Sequence, residues 1–321
     1  MIYLIFRIKP HLKKSNISWE FFRRSVYYSS IIMFIVSSYF VFKYLVIDRF
    51  EFNKNTSEIQ QIWEDSNNSD NEKKPEDDIT LKNFDKIIGI NPDIKGWIKI
   101  DGTVIDYPVL QSSKQDPSFY LYRNYKKGKD KNGSIFISSD ISQLERDTKN
   151  IVLHGHNMNS GAMFASLLKY ADINFYKAHP VIKFDTIFET GLWKVFAVIK
   201  TNSDPNQGEV FYDYLSPFFA SKREFLKLIY NLKLRSVLKI PVEVLESDKI
   251  LTMSTCSYEM KGFRTVVFAR KIRRGEDELV DLDNVKVNNN PMMPNGWYES
   301  RKMKIPRFET FEEYEKHKSR N

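Results

Sequence analysis

Cys256 is the one cysteine in 321 residues, and it closes the run Leu251-Thr252-Met253-Ser254-Thr255-Cys256. A lone thiol has no internal disulfide partner, and a structural zinc site takes several ligands. Two readings stand: a buried, inert small hydrophobe, or a reactive nucleophile. A cysteine nucleophile needs a group that moves protons and a positive charge for the oxyanion that develops on an attacked carbonyl. The chain has five histidines: His11, His154, His156, His179 and His317. His11 lies in a basic N-terminal segment, His317 in a polar tail, and His179 precedes Pro180 in a turn-like sequence. That leaves Leu153-His154-Gly155-His156-Asn157-Met158. Two apart at the end of a strand-like run, His154 and His156 share a face. Such a pair also suits a metal, but no cysteine cluster or third ligand lies nearby in sequence, so neither metal nor cofactor is expected. Arg264 follows the turn at 257–262. Strands joined by so short a turn lie side by side, which makes Cys256 and Arg264 neighbours. Taken alone, Arg264 is an ordinary strand-edge arginine.

These residues need strands to carry them. Strand-like runs occur at 96–100, 104–110, 119–123, 134–138, 150–154, 181–186, 191–200, 250–256 and 263–272. Asp101-Gly102 is a hairpin turn signal between the first two. Helical patterns cover 79–88, 161–170 and 221–230. Asn91-Pro92-Asp93 ends the first, and Ser221 with Glu224 forms a capping-box start for the third. Many short strands with a few inserted helices predict a mainly β domain, a barrel or a sandwich with peripheral helices.

The segments ahead of this domain differ in character. Residues 1–24 are basic. Residues 25–47 hold seventeen uncharged residues, Val26 to Phe42, then Lys43 and the apolar Tyr44-Leu45-Val46-Ile47. A bilayer-spanning helix takes about twenty residues, and a lysine near its end can snorkel. No small-x-small cleavage site follows, so a transmembrane signal anchor is expected rather than a cleaved signal peptide. The basic flank predicts a cytoplasmic N-terminus and an extracellular C-terminal bulk. Residues 48–79 are polar and acidic and predict an unpacked linker. The catalytic or binding domain then spans 80–272, and 273–321 is a polar C-terminal extension. The net charge of +8 is not matched by any nucleic-acid-binding signature, so a polyanionic cell envelope suits it equally well.

Several motifs occur in a fixed order. They are Asn91-Pro92-Asp93-Ile94-Lys95-Gly96-Trp97-Ile98, Ile105-Asp106-Tyr107-Pro108-Val109, Gly133-Ser134-Ile135-Phe136, and Asn150 to Met158 around the histidines. Gly161-Ala162-Met163-Phe164, His179-Pro180-Val181-Ile182, Thr252-Met253-Ser254-Thr255-Cys256 and Arg264 complete the series. Together these resemble the sortases, and class B in particular, over about residues 80–272. The helix before the cysteine strand is similar to the extra helix of that class. The resemblance implies a closed β-barrel of about eight strands with peripheral helices, preceded by one N-terminal transmembrane helix. It implies Cys256 as nucleophile, His156 as general acid/base, and Arg264 for the peptide and the oxyanion, with Ser254 and Thr255 also touching substrate. The implied reaction takes a C-terminal sorting signal of an exported protein through a thioacyl-enzyme to an amine of a peptidoglycan precursor or cross-bridge. A mainly hydrolytic endopeptidase and a non-catalytic envelope scaffold are the alternatives. This chain departs from the family in three places: His154 stands where tyrosine is common, Met253 where leucine is usual, and Ser138-Ser139-Asp140 where an Asp-centred sequence is usual.

Overall fold

The computed structural model describes residues 17–68, 82–139 and 143–318. The chain divides into two compact units, residues 1–55 and 56–321. In the first, α1 (Ile17–Phe42) runs into a π-helical turn (Lys43–Ile47) and the start of α2 (Asp48–Asn68), whose residues from Thr56 onward belong to the second. The described helix is long and apolar enough to cross a membrane. Its large side chains, such as Phe34 and Met33, are exposed.

Residues 48–79 do not form the expected unpacked linker where they are described. α2 extends to Asn68, and Ile59 and Trp63 are buried in the core of the second unit. The Trp63 indole stacks on Trp97 with centroids 4.8 Å apart and meets Phe84 edge-on. The Gln60 amide donates to the Asp106 carbonyl, and Lys126 pairs with Glu58. The stretch is poor in apolar residues overall, but Ile59, Ile62 and Trp63 follow helical spacing and so form one stripe. One stripe is enough to dock a helix.

The second unit continues with α3 (Asp85–Ile90), β1 (Ile94–Lys99), β2 (Asp106–Gln111), β3 (Ile135–Ile137), β4 (Asn150–His154), α4 (Ile173–Ala178), β5 (Val181–Thr186) and β6 (Leu192–Asn202). Then come α5 (Lys222–Arg235), β7 (Leu238–Lys239), β8 (Ile250–Cys256) and β9 (Phe263–Lys271). Eight strands hydrogen-bond in the order β1-β2-β3-β4-β8-β9-β6-β5, and β5 pairs back to β1, so the sheet is a closed ring. β2–β3 and β4–β8 are parallel, and the other pairs are antiparallel. The ring is a mainly β barrel, as expected, and it removes every free edge from these strands. Gly102 makes the β1–β2 turn at φ +74°, a conformation that favours glycine.

Two local expectations change. The 119–123 run is a 3₁₀ turn (Phe119–Tyr122) rather than a strand. Its alternating apolar pattern mimics period two, but the Tyr120 hydroxyl is drawn inward, donating to the Asp93 carboxylate and accepting from the Asn91 amide. The 161–170 helix is a 3₁₀ segment (Ala165–Ala171) that starts after Met163 at φ +55°. Ser221 caps α5 as expected, accepting from the Glu224 amide, while the Glu224 carboxylate accepts from the Ala220 amide. The extension beyond Ile272 is folded over its described length. It contains β10 (Lys286–Val287), paired with β7, then α6 (Asn295–Ser300) and α7 (Phe311–Lys318).

Candidate active site

β8 is buried from Ile250 to Thr255 and emerges at its last residue, where Cys256 is exposed. Thr252 and Thr255 anchor it to the neighbouring β4. The Thr252 hydroxyl donates to Asn150 Oδ1 at 2.7 Å, and the Thr255 hydroxyl donates to the Gly155 carbonyl at 2.8 Å. Asn150 in turn donates to the carbonyls of Tyr214 and Ser216, tying in the segment before α5. This buried polar network is satisfied on both strands and holds their relative position.

The parallel β4–β8 register pairs His154 with Ser254, and the Gly155 amide continues it by donating to the Ser254 carbonyl. His156 therefore leaves β4 level with Cys256, on strands about 4.8 Å apart. On the other side, Cys256 and Arg264 are direct cross-strand partners in the antiparallel β8–β9 pair. The structure brings Cys256, His156 and Arg264 to one end of three adjacent strands.

The two histidines have different surroundings. The half-buried His154 ring packs on Phe136. His156 lies beyond the strand end, next to the Tyr122 ring, with Nε2 2.8 Å from the Leu121 carbonyl oxygen. A carbonyl only accepts, so Nε2 carries a proton and Nδ1 is left as the basic position of the neutral ring. The Leu121 carbonyl is in place because 119–122 is a 3₁₀ turn. Gly133, at φ +61°, passes directly beneath it; a Cβ there would overlap the Leu121 oxygen. Neither residue was among the expected site residues. A backbone carbonyl leaves no mark in a sequence, whereas a glycine just ahead of a strand is a readable sign of close backbone approach.

Arg264 is half-buried and makes no ion pair or side-chain hydrogen bond among the described residues. Its charge acts on Tyr214, a buried neighbour. Burial pushes the Tyr214 phenol up, while the Arg264 charge and Ser254 pull it back. A cation beside an exposed thiol with no fixed partner is available to an incoming carbonyl or to a thiolate.

The side chains of Ser254 and Thr255, expected to touch substrate, are buried. Their relative exposures are 1% and 0%, and the Thr255 hydroxyl is used on Gly155. Alternation along β8 cannot free them, because both faces of that strand are covered. Asp140 lies outside the described residues. Among those described, no group of three or more His, Cys, Asp or Glu side chains converges as a metal site.

A family model described as the sortase domain matches residues 98–272, more than half of the chain. Sortase B of Listeria monocytogenes is 38% identical over 170 residues, covering 53% of this chain and 65% of that protein. The chain belongs to the class B sortases. The match spans just under two thirds of the Listeria relative's length. Among solved structures, sortase B from B. anthracis in complex with AAEK1 superposes with a TM-score of 0.60 at 31% identity, covering 72% of this chain and 100% of that one. A Staphylococcus aureus sortase B–substrate complex gives a TM-score of 0.60 at 28% identity, over 71% of this sortase and 99% of the other. Membership makes the chain an enzyme of the cysteine transpeptidase or peptidase type. The family match ends at Ile272, so the folded extension lies beyond it.

Proposed function

We propose that this sortase cleaves a C-terminal sorting signal of exported proteins and transfers the new carboxyl end to an amine of peptidoglycan or its precursor. Cys256 attacks the scissile carbonyl as thiolate, and Arg264 donates to the oxygen as it becomes negative. His156, protonated at Nδ1 in that step, gives its proton to the departing amine, and a thioacyl-enzyme remains. The acceptor amine then attacks the thioester, His156 Nδ1 takes its proton, and the Cys256 thiolate leaves. The observation that carries this reading is the half-buried Arg264, without an ion-pair partner among the described residues, directly opposite an exposed Cys256. The fold shared with a sortase B–substrate complex supports the substrate class. The apolar N-terminal helix and its basic flank support a single-span anchor with a cytoplasmic N-terminus and an extracellular catalytic domain.

Cys256→Ala tests the mechanism. It should abolish both cleavage of sorting-signal peptides and the acyl-enzyme mass adduct. Survival of the adduct in that variant would remove Cys256 from the reaction. Adding an amine acceptor distinguishes transfer from simple hydrolysis: ligated product supports transfer, and its absence at saturating amine supports an endopeptidase.

A further inference from the structure

The extension takes a defined path back to the candidate site. Asn288 donates through its backbone amide to the Val237 carbonyl and through Nδ2 to the Ser236 carbonyl; the Met292 amide donates to the Leu234 carbonyl. Residues 286–292 are thus bonded along the end of α5 and the chain that follows it. Next, Met293 and Tyr298 bury against Phe263, with Met260 and Trp297 at the edge of the same cluster. The Tyr298 hydroxyl closes this turn, donating to the Pro291 carbonyl and accepting from the Met293 amide. The Trp297 indole stacks on Phe263 with planes 25° apart, and the Arg301 guanidinium lies over the indole ring. The Ser300 hydroxyl donates to the Trp297 carbonyl at 3.0 Å and also lies 3.7 Å from the Met260 sulfur. α7 then returns to α5, where Glu315 pairs with Arg223 and Glu312 with Lys227.

Met260 lies in the turn that connects Cys256 to Arg264, and Phe263 opens β9 directly after that turn. That turn begins with the Ser257 amide donating to the Phe263 carbonyl, and the Phe263 amide donates to the Met260 carbonyl. Glu259 pairs with Lys200 on β6. On the far side, Tyr258 is 69% exposed, and its hydroxyl donates to the carbonyl of Asn157, the residue after His156. The turn thus spans from the cysteine strand to the histidine segment, held there by a single exposed phenol bond. A solvent-exposed bond of that kind is a weak restraint on its own. The apolar contact with the extension adds to the Glu259–Lys200 pair as a fixed interaction of the turn, because it buries aromatic surface on both sides.

We propose that Trp297 is a positioning residue for the sortase reaction: acting through Phe263 and Met260, it holds the 257–262 turn across the gap between Cys256 and His156. This rests on the assignment of Cys256 and His156 made above. The extension is therefore a part of the enzyme that sets the alignment of nucleophile and proton carrier, in addition to covering the barrel.

The test uses the full chain with Trp297→Ala, Trp297→Phe and Met260→Ala. Trp297→Ala is expected to lower kcat for peptide cleavage roughly tenfold, as a small misplacement of reacting groups does, with less than about a twofold change in KM. Amide exchange in 257–262 should speed up in the same variant. Trp297→Phe, which keeps a ring on Phe263, should restore both readings to near wild type. Met260→Ala loosens the same contact from the turn side and decides the matter if Trp297→Ala does not fold. Tyr314→Ala, on the α5–α7 contact away from the turn, should lower the melting temperature without changing kcat. A Trp297→Ala or Met260→Ala enzyme with wild-type kcat, or with unchanged exchange in the turn, overturns the proposal while leaving the mechanism intact. Loss of the mechanism itself shows separately, as an acyl adduct that persists in Cys256→Ala.

Discussion

At the residue scale, the proposed chemistry depends on one backbone carbonyl. The proton on His156 Nε2 is held by Leu121, and that leaves Nδ1 to exchange protons. Gly133 is what allows the carbonyl to sit there, since both its positive φ and the overlap of any Cβ with the Leu121 oxygen exclude a side chain. Gly133→Ala should displace the 119–122 turn and cost about 1–3 kcal/mol of stability. More tellingly, it should lower kcat more than it changes KM, as the histidine loses its fixed tautomer. Melting curves and steady-state kinetics together check this. The second histidine, His154, ends β4 and packs against Phe136 of β3, which separates its surroundings from those of His156.

At the scale of elements, three strand ends and the segments around them make the site. β4, β8 and β9 are adjacent in the ring because β4 and β8 run parallel while β8 and β9 form a hairpin. α2 supports this arrangement from the opposite quarter, through β1 and β2. Trp63 fills the space over Trp97, whose indole nitrogen donates to the Asp106 carboxylate at 2.6 Å. Trp63→Ala should destabilise the catalytic unit by about 3–5 kcal/mol, the usual cost of emptying a large aromatic site. Denaturant titration of the full chain would show it as a lower midpoint. An unpacked linker at this position would predict no change.

At the scale of the whole molecule, charge ties the extension to the barrel. Arg270 and Lys194 are buried on the barrel wall, and both point at Glu276 just beyond the last strand. The Arg270 guanidinium holds the Glu276 carboxyl far below the ordinary carboxylate range; burial works the other way, and Lys194 adds to the lowering. A carboxyl depressed in the folded state adds stability above its ordinary value near 4.5 and loses that contribution as the pH falls through its folded value. Glu276→Gln removes the shortest ion pair of both buried cations, leaving Arg270 with Asp248 at 3.9 Å and Lys194 with Asp277 at 3.7 Å, and should cost about 3 kcal/mol. Its melting temperature should therefore fall below wild type at neutral pH, and the gap should narrow only in acid well below 4.5. A gap that closes already near neutral pH would remove Glu276 as the cause.

The lone Cys256, the Leu153-His154-Gly155-His156 run, Arg264 after a short turn and the alternating strands were all legible in the sequence. Each is written in residue type and short-range spacing, the level at which side-chain chemistry and strand period act. Ring closure was less so: the same strands suit a sandwich until β5 is seen to pair with β1. The ordered motifs around Cys256 already favoured the reactive reading over the inert one. The structure supports that reading by taking the last residue of β8 out of the core, opposite a half-buried arginine that has no ion pair among the described residues. Tertiary structure alone also revealed the Leu121 carbonyl on His156, the burial of Ser254 and Thr255, the packing of α2, and the return of Trp297 to the turn beside the cysteine. The physical reason is common to them. Backbone carbonyls carry no residue signature, and apolar stripes in polar segments acquire meaning only when a partner surface, distant in sequence, arrives to bury them.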